Sequence, residues 1–176
     1  MELVISCSLH PQSRSRTMAR LMHRGLVDHG SEAAFVDLRE FSLPFCDGDR
    51  AGDEDSVARL TDLVASASGI ILATPIYNFD VNAAAKNMIE LTGSAWTEKL
   101  VGFICASGGA RSYMSVLGLA NSLLLDFHCH VFPRFVFAPS DSFDDDGRLT
   151  DSNVQERIEH FADRFHRLAE MLARFV

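Results

Sequence analysis

Three short stretches hold the residues of this chain best suited to touch a ligand. The first, "CSLHPQSRSRT" (residues 7–17), offers hydroxyls at Ser8, Ser13, Ser15 and Thr17 and cations at Arg14 and Arg16, with His10 between them. Placed ahead of a helix, such residues meet free N–H groups and the positive end of the helix dipole, a setting that suits a phosphate. The same residues would also serve as a helix cap with a solvated basic turn. The second stretch is Pro75-Ile76-Tyr77-Asn78-Phe79, directly after the apolar run "GIILA" (69–73), and it holds no catalytic acid, base or nucleophile. The third, Ser107-Gly108-Gly109, ends another apolar run; two adjacent glycines let backbone approach a flat ligand with no Cβ between.

Several chemistries lack their residues. There is no G-x-x-x-x-G-K-[ST] loop for a nucleoside triphosphate and no G-x-G-x-x-G fingerprint for a tightly held dinucleotide. Neither a G-x-S-x-G nucleophile elbow nor an H-E-x-x-H metal pair occurs. His128 and His130 stand one residue apart, which on a strand sends them to opposite faces, so no metal centre is expected. A phosphate seat beside a slot walled by backbone fits flavin mononucleotide (FMN) better than it fits a protein nucleophile. The reactive atom would then belong to the cofactor.

The elements that must position these stretches alternate along the chain. Apolar runs predict strands at 3–5, 33–38, 69–73, 99–106 and 130–138. Helical spacing follows each: Met18, Leu21, Met22 and Leu26 before Gly30; Val57, Leu60, Leu63 and Val64 behind a cap at Asp55 or Ser56; Val81, Ala84, Ala85, Met88 and Leu91; a run from 112 to 127; and a last helix from Ser152 to the end. Residues 39–54 read as an irregular surface loop, and Asp146-Gly147 as a tight turn. In the last helix Val154, Ile158, Phe161, Phe165, Leu168, Leu172 and Phe175 form an a/d stripe, for packing on the sheet or for a dimer seam. Strand–helix alternation means right-handed βαβ units and a parallel sheet covered on both faces. Ligands of such sheets bind beyond the carboxyl ends of the strands, which is where all three stretches fall.

The chain has 176 residues, enough for one domain over its whole length, 1–176. Its net charge of −8 argues against nucleic acid as a partner. No apolar run is long enough to span a bilayer, and the first residues, with Glu2 and no basic segment, do not read as a signal peptide. Cys7, Cys46, Cys105 and Cys129 form no C-x-x-C pair and read as reduced thiols of a cytoplasmic protein, with Cys7 and Cys105 as small core hydrophobes.

Taken together, the stretches resemble the NADPH-dependent FMN reductase family, flavodoxin-like flavoproteins that include quinone, chromate and azo reductases. Ser8, Leu9, Ser13 and Ser15 match the phosphate loop Gly-Ser-Leu-Arg-x-x-Ser-x-Asn, with serine for its asparagine. Pro75, Tyr77, Asn78, Lys86 and Asn87 match Pro-x-Tyr-Asn-x-x-x-Pro-Gly-x-x-Lys-Asn. Cys7 replaces a glycine, His10 an arginine, and Asn82-Ala83 the Pro-Gly pair. The resemblance implies a flavodoxin-like α/β/α fold with a five-stranded parallel sheet in the order 2-1-3-4-5. It implies an oxidoreductase that passes a hydride from NADPH or NADH through FMN to an electron-poor small molecule such as a quinone, flavin, azo compound or metal oxyanion. A flavodoxin-like electron carrier, or a degenerate flavin-binding protein, is the alternative. FMN would lie with its phosphate on Ser8, His10, Ser13, Arg14 and Ser15, Arg14 or Arg16 supplying the charge lost at His10. Its ring would lie against Pro75, Ile76, Tyr77, Asn78, Phe79, Ser107, Gly108 and Gly109. A homodimer or homotetramer is the usual assembly of the family.

Overall fold

The computed structural model describes residues 1–48 and 55–174. The end of the predicted loop (49–54) and Phe175 of the predicted stripe lie outside the described residues. Strands β1 (Glu2–Ser6), β2 (Ala33–Asp37), β3 (Gly69–Tyr77), β4 (Asp80–Val81), β5 (Leu100–Ser107), β6 (His130–Val131) and β7 (Val136–Ala138) form one sheet. It runs β2-β1-β3-β5-β6, with β7 also parallel to β5 and β4 turned back on β3. Helices α1 (Arg14–Asp28), α2 (Asp55–Ser66), α3 (Ala83–Thr92), α4 (Leu117–Asp126) and α5 (Ser152–Leu172) connect and cover it.

This is the flavodoxin-like α/β/α arrangement, with seven strands rather than five. The two additional strands have local causes. β4 is a two-residue return of the turn after β3. The predicted strand at 130–138 is interrupted at Phe132–Phe135, where proline lacks an N–H and Arg134 has φ 63°. Helix boundaries differ as well. α1 opens at Arg14 because Ser13 caps it, its Oγ accepting from Arg16 N at 3.2 Å. Val81 belongs to β4 rather than to α3. The run at 112–127 yields a helix only from Leu117, after a 3₁₀ turn at Ala110–Ser112.

Side-chain alternation divides the core by face. Leu3, Ile5, Ile70 and Leu72 pack beneath α2, α3 and α4, together with the fully buried Trp96. Val4, Ile71, Ala73 and Ile104 face α1 and α5. The a/d stripe of α5 is spent on that second face: Val154, Ile158, Phe161 and Phe165 are all buried there. Cys7 and Cys105 are indeed core residues, and burial pushes both thiols up, that of Cys105 to about 12. All four cysteines are free.

Candidate functional site

Beyond the carboxyl ends of β1, β3 and β5 lies an open cleft of about 1370 Å³. Every residue predicted for the cofactor lines it: Ser8, His10, Ser13, Arg14, Ser15, the stretch Pro75–Phe79, Ser107, Gly108 and Gly109. Strand register brings the second and third stretches side by side, since Pro75 pairs with Ala106 and Ile76 with Ser107. Gln12, Ala110, Arg111, Ser112 and the Asp145–Gly147 loop complete the rim and were not predicted. Their polar, loop-borne residues carry no distinguishing spacing.

The first loop is built around one buried cation. Arg16 donates to the carbonyls of Ser8 (2.7 Å), His10 (2.9 Å) and Pro11 (3.2 Å). Its Nε lies 2.8 Å from Asp37 Oδ2 at the end of β2. Arg16 is therefore committed inside the loop, and Arg14 is the cation of this pair that lines the cleft. With the carbonyls turned inward, the loop leaves N–H groups for a ligand. Those of Arg14 and Ser15, at the first turn of α1, meet no acceptor among the described residues. Ser13 Oγ and Ser15 Oγ sit 2.9 Å apart at the same point. His10 Nδ1 accepts from Gln12 N at 3.1 Å, so the neutral ring carries its proton on Nε2. Cys7 turns its side chain into the core, so the residue standing for glycine does not intrude on the cleft.

Asp37 is 1% exposed and also takes three hydrogen bonds from the Arg39 side chain, the shortest 2.7 Å. Burial alone would raise its pKa; the bonds from Arg39, with the hydrogen bond and charge of Arg16, outweigh that and hold the carboxyl below the usual carboxylate range. Because the folded pKa is lowered, the contribution to stability is present above the unfolded value of about 3.9 and is lost as pH falls through the folded value. The gap in urea midpoint between wild type and Asp37→Asn should therefore be widest near pH 6 and narrow below about pH 4. A gap that stays constant down to pH 2 would remove Asp37 from this role.

The second loop is fixed by Asn82, one of the residues that depart from the family's motif. Asn82 Nδ2 donates to Cys7 O (2.7 Å), and its Oδ1 accepts from Thr74 Oγ1 (2.8 Å). This buried amide joins the ends of β1 and β3 at the start of α3, at the N-cap position but with no capping bond from its side chain. Asn78 sits in the β3–β4 turn at φ 53°. Farther along α3, Asn87 clamps the loop after β2, donating to Pro44 O (2.8 Å) and accepting from Cys46 N (2.9 Å). Lys86 pairs with Glu90 on the exposed side.

In the third loop hydroxyls hold the carbonyls: Ser140 Oγ donates to Gly108 O at 2.8 Å and Ser107 Oγ to Gly109 O at 2.6 Å. Gly109 is extended at φ −159°, and Gly108 is not left-handed either. A Cβ on either glycine would meet nothing within 4 Å. Neither the backbone nor the packing of the protein requires glycine here, whereas a flat ring lying on this backbone would. That cradle, the free N–H groups of α1 and the paired serine hydroxyls fit FMN.

Known proteins resemble this chain in sequence and in fold. A reductase from Geobacillus thermodenitrificans, described as an NAD(P)H-dependent FAD/FMN reductase, is 27% identical over 129 residues, covering 72% of this chain and 70% of its own. An NADPH:quinone oxidoreductase of Arabidopsis thaliana is 28% identical over 138 residues, covering 74% and 70%. The fold matches that of FerB, an NAD(P)H:(acceptor) oxidoreductase from Paracoccus denitrificans, with a TM-score of 0.79 over 97% of both chains at 22% identity. The family model described as NADPH-dependent FMN reductase matches residues 2–143, a span that takes in all three loops. By that match, the chain belongs to the NADPH-dependent FMN reductase family.

Proposed function

We propose that the cleft beyond β1, β3 and β5 is the FMN site of an NAD(P)H-dependent oxidoreductase whose acceptor is an electron-poor small molecule: a quinone, a flavin, an azo compound or a metal oxyanion. Membership of the family makes the chain an FMN-using, NAD(P)H-dependent enzyme, and this favours the reductase reading over an electron carrier. The observation that carries the site assignment is the convergence of the three loops on one cleft, where the Gly108–Gly109 backbone lies open with no Cβ.

When bound, such a cofactor supplies hydride acceptance from a nicotinamide and electron release to an acceptor. The protein's own part is binding and orientation. The first turn of α1 and the Ser13 and Ser15 hydroxyls offer donors to a phosphate, with Arg14 as the nearby charge. The Pro75–Phe79 turn and the glycine loop wall a slot beside it, and no side chain is needed as acid or base. We read residues 1–176 as a single functional domain acting in the cytoplasm as a homodimer or homotetramer. Among the described residues no helix is long and apolar enough to cross a membrane.

The test is to purify the protein with FMN and follow NADPH oxidation with a quinone present. Bound flavin with acceptor-dependent turnover is expected; flavin binding without NADPH consumption would return the electron-carrier reading. For the phosphate seat, Arg14→Gln should weaken FMN binding about tenfold, the value of one hydrogen bond to a charged group. Riboflavin, which lacks the phosphate, should bind both proteins alike. Equal losses for the two flavins would place Arg14 outside the seat.

A further inference from the structure

The turn between β3 and β4 holds two residues, Asn78 and Phe79, because Tyr77 pairs with Asp80. Both have positive φ, 53° and 63°. That combination defines the tight hairpin turn whose preferred residues are Asn-Gly. Asparagine tolerates this conformation; a bulky aromatic residue does not, and is strained there. Among the described residues three other non-glycine residues have positive φ, Glu98, His128 and Arg134, and none of them lines the cleft.

The fold gains nothing visible from this strain. Phe79 is 68% exposed, and among the described residues its ring contacts no other aromatic ring or cation. Two costs therefore coincide at one residue, a left-handed backbone and a large apolar side chain in water. Both fall on the rim of the cleft, at the tip of the turn that the strand register sets beside Gly108 and Gly109. A strained residue at a ligand cleft marks a place where stability has been exchanged for function.

We infer that the ring of Phe79 is a specificity-determining plate that stacks on the flat ring of the reacting substrate, nicotinamide or planar acceptor, at the mouth of the slot. This rests on the assignment of the cleft as the FMN site and adds to it a residue that chooses among substrates. The strand-end residues Pro75, Ile76, Ala106 and Ser107 are paired into the sheet, whereas Phe79 stands past the end of β3, where an incoming molecule would meet it first. An aromatic face favours offset stacking with another flat ring and offers little to a compact, strongly hydrated anion.

Phe79→Gly and Phe79→Trp test this. Asn-Gly is the preferred sequence for the turn, so the FMN-free glycine variant should melt about 2–4 °C above wild type. Loss of an ordinary packing residue would lower the melting point instead. In steady-state assays the glycine variant should raise KM for NADPH and for menadione about tenfold, the equivalent of one stacked pair. KM for hexacyanoferrate(III), which cannot stack, should move less than about twofold. Phe79→Trp should keep the wild-type preference for flat substrates. A KM that rises equally for menadione and hexacyanoferrate, or for neither, overturns the inference, as does a lowered melting point. So does a change in sedimentation on Phe79→Gly, because the ring would then be buried against another copy. A wild type that takes up no FMN removes the site assignment itself. A wild type that binds FMN, with a glycine variant that loses nothing for flat substrates, removes only the role of Phe79.

Discussion

Arg16→Ala is expected to destabilise the protein by about 3–5 kcal/mol, the usual cost of removing one partner from a buried ion pair. The substitution strips the carbonyls of Ser8, His10 and Pro11 of a charged donor and leaves Asp37, 1% exposed, with only the half-exposed Arg39. Arg16→Lys should recover only part of the loss, because one ammonium cannot reach three carbonyls and a carboxylate as a planar guanidinium does. Urea denaturation gives the stability. Flavin titration separates the two consequences, since a slackened loop loses FMN while riboflavin binding changes little. A lysine variant with wild-type stability and FMN affinity would show that the loop holds its shape without the fork. Such a result would also return Arg16 to consideration as a phosphate ligand, the role its sequence position suggested.

Gly102→Ala is the second large effect, expected at about 1–3 kcal/mol from overpacking. Gly102 lies in the middle of β5, opposite Ile71. A Cβ there would stand 2.6 Å from Phe161 Cζ and 3.1 Å from Phe165 Cε2. Those rings have little room to retreat: they lie 5.8 Å apart at 14° to each other, with Phe132 4.6 Å from Phe161. Gly69 meets the same cluster, with Phe165 Cε1 2.8 Å from the place of its Cβ. Two missing side chains on the sheet thus make the bed for the aromatic residues of α5. Thermal unfolding should show a lower midpoint for Gly102→Ala, and Gly102→Ala combined with Phe161→Leu should recover part of it, as contacting residues couple. An unchanged midpoint in the single variant would mean that α5 can shift on the sheet at no cost.

These two results would probe opposite ends of the same design. The aromatic bed of α5 fixes one face of the sheet, and the Arg16–Asp37 pair fixes the loop that leaves its edge. Neither residue's partner was legible along the chain. Asp37 is 21 residues from Arg16, and Phe161 is far beyond Gly102, so only folding brings them into contact. Of the two cations that the serine-rich loop offers a phosphate, Arg14 or Arg16, the fold pairs Arg16 with an internal carboxylate that no local pattern announces.

What the sequence by itself determined is the class of fold and the three loops that meet at one edge of the sheet. Alternating apolar runs and helical spacings specify a doubly covered parallel sheet, because each pattern has one periodicity that can bury it. The sheet then forces the loops after β1, β3 and β5 to one edge, so residues nearly 100 positions apart in the chain share a cleft. The tertiary structure alone decided which side chains face that cleft and which are spent inside. It turned Arg16 inward, gave the end of β1 to Asn82, and left Phe79 exposed on a left-handed backbone. The physical reason is one of range. Periodicity is a property of neighbours and survives in the chain, whereas the direction of a polar side chain is settled by whichever partner the fold brings within about 3 Å.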